Sequence, residues 1–147
     1  MEKITSLCEL LGNPQDKLKA ITIAGSKGKG STSTMVESAL RTAGFKTGLT
    51  ISPDVDGYGE RFQINGRPAS KERILEIYEK VRPCAEKVNE ISFFEITIAM
   101  ALQLFAEENV DYAVLEVGLG GRLDATNVCT PLVAAITNIS LEHTENL

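Results

Sequence analysis

The run Ala20-Ile21-Thr22-Ile23-Ala24, followed by Gly25-Ser26-Lys27-Gly28-Lys29-Gly30-Ser31 and then by a helical pattern, constrains this chain more than any other stretch. A short apolar run feeding a glycine-rich turn that opens a helix is a strand, loop and helix unit. The glycines let the backbone turn tightly with its N–H groups inward, and the new helix points its positive end at the same spot. Lys29 adds a mobile cation, and the hydroxyl of Ser31 lies within reach of a magnesium ion held by terminal phosphates. A polyphosphate is the natural occupant, which makes Gly25, Ser26, Lys27, Gly28, Lys29, Gly30 and Ser31 the candidate nucleotide-binding residues. Only Ser26 and Lys27 separate Gly25 from the Gly28-Lys29 pair, a shorter insert than the common form of the motif has. A dinucleotide fingerprint competes at Gly28-Lys29-Gly30, but its third glycine position falls on Ser33. The blander alternative is a glycine-rich turn with a surface lysine, and the strand before, the helix after and the hydroxyl beside the lysine weigh against it.

At 147 residues, 43% hydrophobic and 24% charged, the chain has the size and composition of one soluble α/β domain with a real core. A net charge of −5 without Lys/Arg clusters argues against non-specific nucleic-acid binding, which needs a basic face. No apolar stretch approaches the roughly 20 residues of a membrane span. The N-terminus also lacks the basic-then-apolar layout of a secretory signal, so no membrane partner is expected and the cytoplasm is the default location. Cys8, Cys84 and Cys129 have neither disulfide-framework nor zinc-knuckle spacing and read as reduced, semi-buried fillers.

Along the chain, residues 2–11 read as a short helix with Ile4, Leu7, Cys8 and Leu11 on one face, stopped by Gly12-Asn13-Pro14. After the loop, Met35, Val36, Ala39, Leu40 and Ala43 recur at helical spacing, and Gly44 ends that helix before a strand around Lys46 to Ile51. This βαβ start predicts two parallel strands. Ser52-Pro53 breaks the second strand, and 54–60 is a polar loop suited to covering a site. Asn65-Gly66 signals a small hairpin starting from Arg61-Phe62-Gln63-Ile64. Residues 70–90 form a charged helix with Ile74, Ile77, Tyr78 and Val81 buried, ended or kinked at Pro83. Ser92 and Glu95 form a capping box for a helix running to about Glu108. Tyr112 to Val117 and Leu132 to Ile136 are apolar enough for parallel strands covered on both faces.

In an open parallel sheet, ligands sit at the carboxyl ends of the strands. Those ends bring the phosphate loop, Ser52, Glu116 with Gly118-Leu119-Gly120-Gly121, and Thr137-Asn138 with His143 shortly after. Glu116 stands where a magnesium-binding or water-orienting carboxylate belongs; alternatively it only ends the strand and pairs with Arg122 or Lys29. His143, the single histidine, is by ligand chemistry alone more often structural than a magnesium ligand. Asp124 and Arg122 either pair with each other or face a substrate.

This constellation resembles the folylpolyglutamate synthase/dihydrofolate synthase branch of the Mur ligase superfamily. The resemblance runs from Leu10-Leu11-Gly12-Asn13-Pro14 through the loop, Ser52-Pro53, Glu60-Arg61, Asn65-Gly66 and Ser92-Phe93-Phe94-Glu95. Its most specific part is Glu116-Val117-Gly118-Leu119-Gly120-Gly121-Arg122-Leu123-Asp124-Ala125-Thr126-Asn127, with Thr137-Asn138-Ile139 and His143-Thr144 behind it. The resemblance implies a P-loop-type, mostly parallel sheet with helices on both faces, forming an incomplete Mur-ligase central ATPase domain. It implies ATP phosphate contacts at Ser26, Lys27, Gly28 and Lys29, and magnesium at Ser52, Glu116 and His143. Lys29, Glu116 and His143 become the catalytic candidates. Ser92, Phe93, Phe94 and Glu95, with Leu123, Asp124 and Ala125, fall where the family holds its pterin-containing substrate. The implied reaction joins L-glutamate to a folate or dihydropteroate carboxylate through an acyl phosphate, driven by ATP. A non-catalytic magnesium-ATP-binding fragment and another Mur-type amide ligase are the alternatives.

Lys27 replaces the family's usual asparagine, Asp54 its usual histidine, and Glu142 its usual aspartate. The chain stops at Leu147, where family members continue through the rest of the ATPase domain and a glutamate-ligase domain. It therefore reads as a fragment, inactive alone and prone to self-associate at an exposed sheet edge, whereas full-length members are usually monomeric.

Overall fold

A computed structural model describes residues 1–54 and 57–140. The elements are α1 (Glu2–Leu10), β1 (Ala20–Ala24), α2 (Lys29–Thr42), β2 (Thr47–Thr50), β3 (Gln63–Ile64), β4 (Arg67–Pro68), α3 (Lys71–Ala85), α4 (Phe93–Glu107), β5 (Tyr112–Glu116) and β6 (Val133–Ile136), with 3-10 turns at Pro14–Lys17, Tyr58–Arg61 and Ala125–Val128. One sheet has the order β4-β3-β2-β5-β1-β6. β2, β5, β1 and β6 run parallel, while β3 and β4 add an antiparallel hairpin.

The βαβ reading holds for direction but not for adjacency. β1 and β2 are parallel, yet β5 lies between them and pairs with both. A right-handed crossover leaves room for a strand that arrives later in the chain, and periodicity carries no information about which strand fills the gap. β5 meets the expectation of a strand covered on both faces. Val114 turns to α2 with Ile23 and Leu49, with Val36 and Leu40 packed on them. Ala113 and Leu115 turn to the larger core on the other side, which α1, α3 and α4 supply.

β6 departs from that expectation. Val133 is 55% exposed and Ile136 65%, because among the described residues β6 is an edge strand bonded to β1 alone while the helices cover the sheet's centre. The buried stripe of α2 is also displaced. Val36 and Leu40 pack inward, but Met35, Ala39 and Ala43 are exposed, and the fully buried positions are the polar Ser33 and Glu37. Glu37 is accommodated because its carboxylate accepts from Thr47 Oγ1 at 2.6 Å and from Arg41 Nε at 3.1 Å.

α3 ends at Ala85 rather than near residue 90, and Tyr78 of its expected buried stripe is 40% exposed, but several other local signals are realised directly. Asn65 (φ 50°) and Gly66 (φ 70°) make the hairpin turn, Ser92 and Glu95 form a reciprocal capping box, and Pro83 sits in the last turn of α3. Gly48 is required by packing rather than by dihedral angle. A Cβ there would lie 2.7 Å from the ring of Phe105, so the missing side chain is what lets α4 settle on β2. No helix among the described residues is long and apolar enough to cross a membrane.

Candidate functional site

The strand ends converge as expected of an open parallel sheet. From β1 the chain passes through Gly25 (φ 134°) and Gly28 (φ 79°) into α2, both in conformations that favour glycine. Lys29 curls back over the loop, its Nζ donating to the Gly25 carbonyl at 2.8 Å. The helical ladder begins with Thr32 N donating to Gly28 O at 3.0 Å, so the amides of Lys29 and Ser31 lie outside it and present the polarity that suits an anion.

The segment after β6 straps the loop from the other side. Asn138 accepts from the Ser26 amide through its carbonyl at 2.9 Å, and from the Lys27 amide through Oδ1 at 3.0 Å. Thr137 Oγ1 and Asn138 Nδ2 both donate to the Lys27 carbonyl, at 2.7 and 3.0 Å. Ser26 Oγ is held by Ser140, accepting from its amide at 2.9 Å and donating to its carbonyl at 3.2 Å. The strap and loop touch so closely that a Cβ on Gly25 would fall 2.1 Å from Thr137 Oγ1. Ser26 and Lys27 therefore have their amides committed to the protein, whereas those of Gly28, Lys29 and Ser31 have no such partner among the described residues. Sequence reading placed Thr137 and Asn138 at a strand end without this role; their only signal was a hydroxyl and an amide directly after an apolar strand.

Glu116, at the end of β5, is 5% exposed and stands between the loop helix and the end of β2. Its Oε2 accepts from the Ser52 amide at 2.8 Å, and the Gly30 amide faces the carboxylate. Burial raises its pKa above the ordinary carboxylate value, opposed by those two amides and by the charge of Lys29. Neither Arg122 nor Lys29 forms an ion pair with it among the described residues. Ser52 and Glu116 thus come together as predicted, while His143 lies outside the described residues.

Among the described residues, no three His, Cys, Asp or Glu side chains gather into a metal cage. One buried carboxylate beside a serine and a phosphate loop is the donor set magnesium uses when phosphates complete its shell, so the residues fit a phosphate-bound divalent cation. A cleft of about 230 Å³ is lined by Gly25, Ser26, Lys29, Gly118 and the strap residues Asn138 and Ser140.

A second cleft, about 420 Å³, includes Ser52, Arg61, Phe94, Leu119 and Asp124. The candidate substrate residues divide here. Phe94 lines the cleft, and a Cβ on Gly118 would meet its ring at 2.6 Å. Phe93 is 64% exposed, with its ring against Tyr58, and Leu123 is 73% exposed. Ser92 and Glu95 are occupied with each other, Glu95 Oε2 accepting from Ser92 N at 2.9 Å and from Ser92 Oγ at 2.8 Å.

Asp124 neither pairs with Arg122 nor stands free. Oδ2 accepts from the amides of Gly118 (3.0 Å) and Leu119 (2.9 Å), and Oδ1 from Thr126 N (3.0 Å) and Thr126 Oγ1 (2.7 Å). Those four bonds fold the glycine-rich loop after β5, and Ala125 is buried under it. Cys8 and Cys129 are buried, their thiols pushed up to about 12 chiefly by desolvation, so they are inert fillers as expected.

A parallel α/β sheet with a phosphate loop on its first strand and an acid closing the strand beside it defines a nucleotide-binding domain of the P-loop class. The chain belongs to the Mur ligase middle domain family, whose pattern matches residues 23–147. It is 45% identical over 151 residues to a probable bifunctional folylpolyglutamate synthase/dihydropteroate synthase of Halobacterium salinarum, covering 99% of this chain and 18% of that protein. Among solved structures it resembles E. coli FolC in complex with DHPP and ADP, with a TM-score of 0.91 at 34% identity, covering 100% of this chain and 35% of that one. A bifunctional folylpolyglutamate synthase/dihydrofolate synthase with Mn, AMPPNP and L-glutamate bound also has a TM-score of 0.91, at 38% identity over 97% of this chain and 35% of that one. The chain thus spans about a third or less of the length of these proteins.

Proposed function

We propose that this chain is the ATP-binding part of a ligase that joins L-glutamate to the carboxylate of a folate or dihydropteroate through an acyl phosphate. The observation that carries the reading is the meeting of Lys29, Glu116 and Ser52 at the carboxyl ends of β1, β5 and β2, beside a cleft lined by Phe94. Solved relatives with ADP, DHPP, AMPPNP, Mn and L-glutamate bound support it.

In this reading the unladdered amides of α2 and the Lys29 ammonium hold the β- and γ-phosphates and neutralise charge on the transferring phosphoryl group. Magnesium, held by Ser52, Glu116 and His143, supplies further charge neutralisation when bound. The cleft at Phe94 places the planar substrate so that its carboxylate approaches the phosphoryl group, and catalysis rests on positioning and electrostatics. Phe93 and Leu123 offer apolar contacts to the ring system. Ser92, Glu95, Asp124 and Ala125 act one step back, shaping the cleft. The chain would then be a partial central domain working in the cytoplasm with the remainder of a longer enzyme, and alone it would self-associate along the open β6 edge.

The test is ADP release with ATP, magnesium, L-glutamate and dihydropteroate or a folate. It is run on this chain and on a polypeptide extended by the region its homologues carry beyond it. Glutamate-dependent turnover is expected only from the extended form, and absence in both would overturn the reaction. Binding of magnesium-ADP to this chain, measured by calorimetry, should weaken at least roughly ten-fold in Lys29→Ala; unchanged affinity would overturn the phosphate-loop assignment.

A further inference from the structure

Between β2 and β3 the fold holds an arginine in a confined setting. Arg61 closes the 3-10 turn Tyr58–Arg61, its side chain is 14% exposed, and its Nε donates to Asp54 Oδ1 at 2.5 Å. Its guanidinium carbon lies 5.9 Å from the ring centroids of both Tyr58 and Phe93. Tyr58 is itself fixed, with its hydroxyl 3.0 Å from Thr97 Oγ1 and its ring edge-on to Phe62. Among the described residues none accepts from the two terminal nitrogens of Arg61, and the side chain lines the same cleft as Ser52, Phe94 and Asp124.

A guanidinium packed beside a pair of touching aromatic rings and largely withdrawn from water keeps its charge and presents a planar fork matched to a carboxylate. The acid lining this cleft, Asp124, has both oxygens committed to the loop after β5, so it does not compete for that fork. Asp54 engages only Nε. It fixes the orientation of the guanidinium and offsets part of its charge, leaving the fork open toward the cleft.

We infer that Arg61 is a specificity-determining residue that binds the aryl carboxylate of the incoming substrate, and that Asp54 tempers its grip by partly neutralising the cation. This rests on the proposed function, in which the cleft receives a planar molecule bearing a carboxylate. Carboxylate held too tightly would resist transfer toward the phosphoryl group, and the neighbouring acid keeps the capture reversible.

The test compares pteroate with its methyl ester, titrated by pterin fluorescence into this chain with magnesium-ADP present. The unaltered chain should bind pteroate roughly ten-fold more tightly than the ester, the worth of one charge-assisted hydrogen bond. Arg61→Ala should remove that preference by weakening pteroate far more than the ester. Arg61→Gln, which keeps bulk against Tyr58 and Phe93, gives the same reading should the alanine variant fail to fold. Asp54→Asn retains an acceptor for Nε without the charge, and should tighten pteroate severalfold without affecting the ester. An Arg61 variant that keeps the preference, or weakens both ligands equally, overturns the assignment, and Asp54→Asn without a gain overturns the tempering role. A chain that binds magnesium-ADP but neither pteroate nor ester overturns the substrate reading itself, and the inference with it.

Discussion

The Ser52 amide donates to Glu116 Oε2 at 2.8 Å, joining the carboxyl ends of β2 and β5 across 64 residues of sequence. The Gly30 amide faces the same carboxylate, so one side chain stands where the phosphate-loop helix meets the ends of two strands. Glu116→Gln keeps an acceptor for one amide and loses the charge, whereas Glu116→Ala leaves both amides unpaired in a buried position. The glutamine variant should hold its stability while its manganese-ADP complex weakens roughly ten-fold or more. The alanine variant should in addition lose about 1–3 kcal/mol of unfolding free energy. Urea unfolding and manganese titration by paramagnetic resonance separate the two effects.

Asp124 is predicted to matter as an organiser of the loop between β5 and β6. Its four hydrogen bonds are internal, and truncation strands the amides of Gly118, Leu119 and Thr126. Asp124→Ala should cost about 2–4 kcal/mol and raise hydrogen exchange across 117–126, with Asp124→Asn intermediate. A stable alanine variant with unaltered exchange would contradict this role.

Gly48 and Phe105 are coupled by contact. Gly48→Ala should destabilise by roughly 1–3 kcal/mol, because the new methyl group would overlap a ring that is itself fully buried. In the background Phe105→Leu the same substitution should cost less, and a double-mutant cycle in urea measures the coupling.

Glu107 gives a defined acid response. Burial alone would raise its pKa, but hydrogen bonds from Lys80, Gln103 and Arg73 and the charge of Lys80 overcome that and bring it to about 2 from an ordinary 4.5. Because the folded value is depressed, its contribution is present above about 4.5 and drains away as the pH falls toward about 2. Glu107→Gln should therefore be less stable than the unaltered chain at pH 7, by roughly 1 kcal/mol after solvent screening. The two stabilities should converge near pH 2, a trend that urea unfolding across pH resolves.

Local chemistry made much of this molecule legible in one dimension. The loop at 25–31, the Asn65-Gly66 turn, the Ser92-Glu95 box and the apolar strand ending at Glu116 each depend on neighbours a few residues away, and all formed as read. The rule that ligands sit at the carboxyl ends of parallel strands already placed Ser52 near Glu116, and the family resemblance added their shared role toward magnesium.

What escaped the sequence depends on contacts between distant segments. The insertion of β5 between β1 and β2, the open face of β6, and the inward turn of Ser33 and Glu37 on α2 follow from how sheet and helices stack, and hydrophobic spacing is silent about strand order. Asp124 looked equally suited to a substrate or to Arg122 until the fold brought four donors onto its two oxygens. Arg61 was only part of a motif until the turn at Tyr58–Arg61 set it against the Tyr58 and Phe93 ring pair. The sequence by itself determined that a phosphate loop would sit on a parallel sheet, because backbone turns and helix polarity are local properties. Only the tertiary structure decided which charged side chains are consumed in holding that loop and which remain available to a ligand, because a charge's role is set by the donors and acceptors that folding places around it.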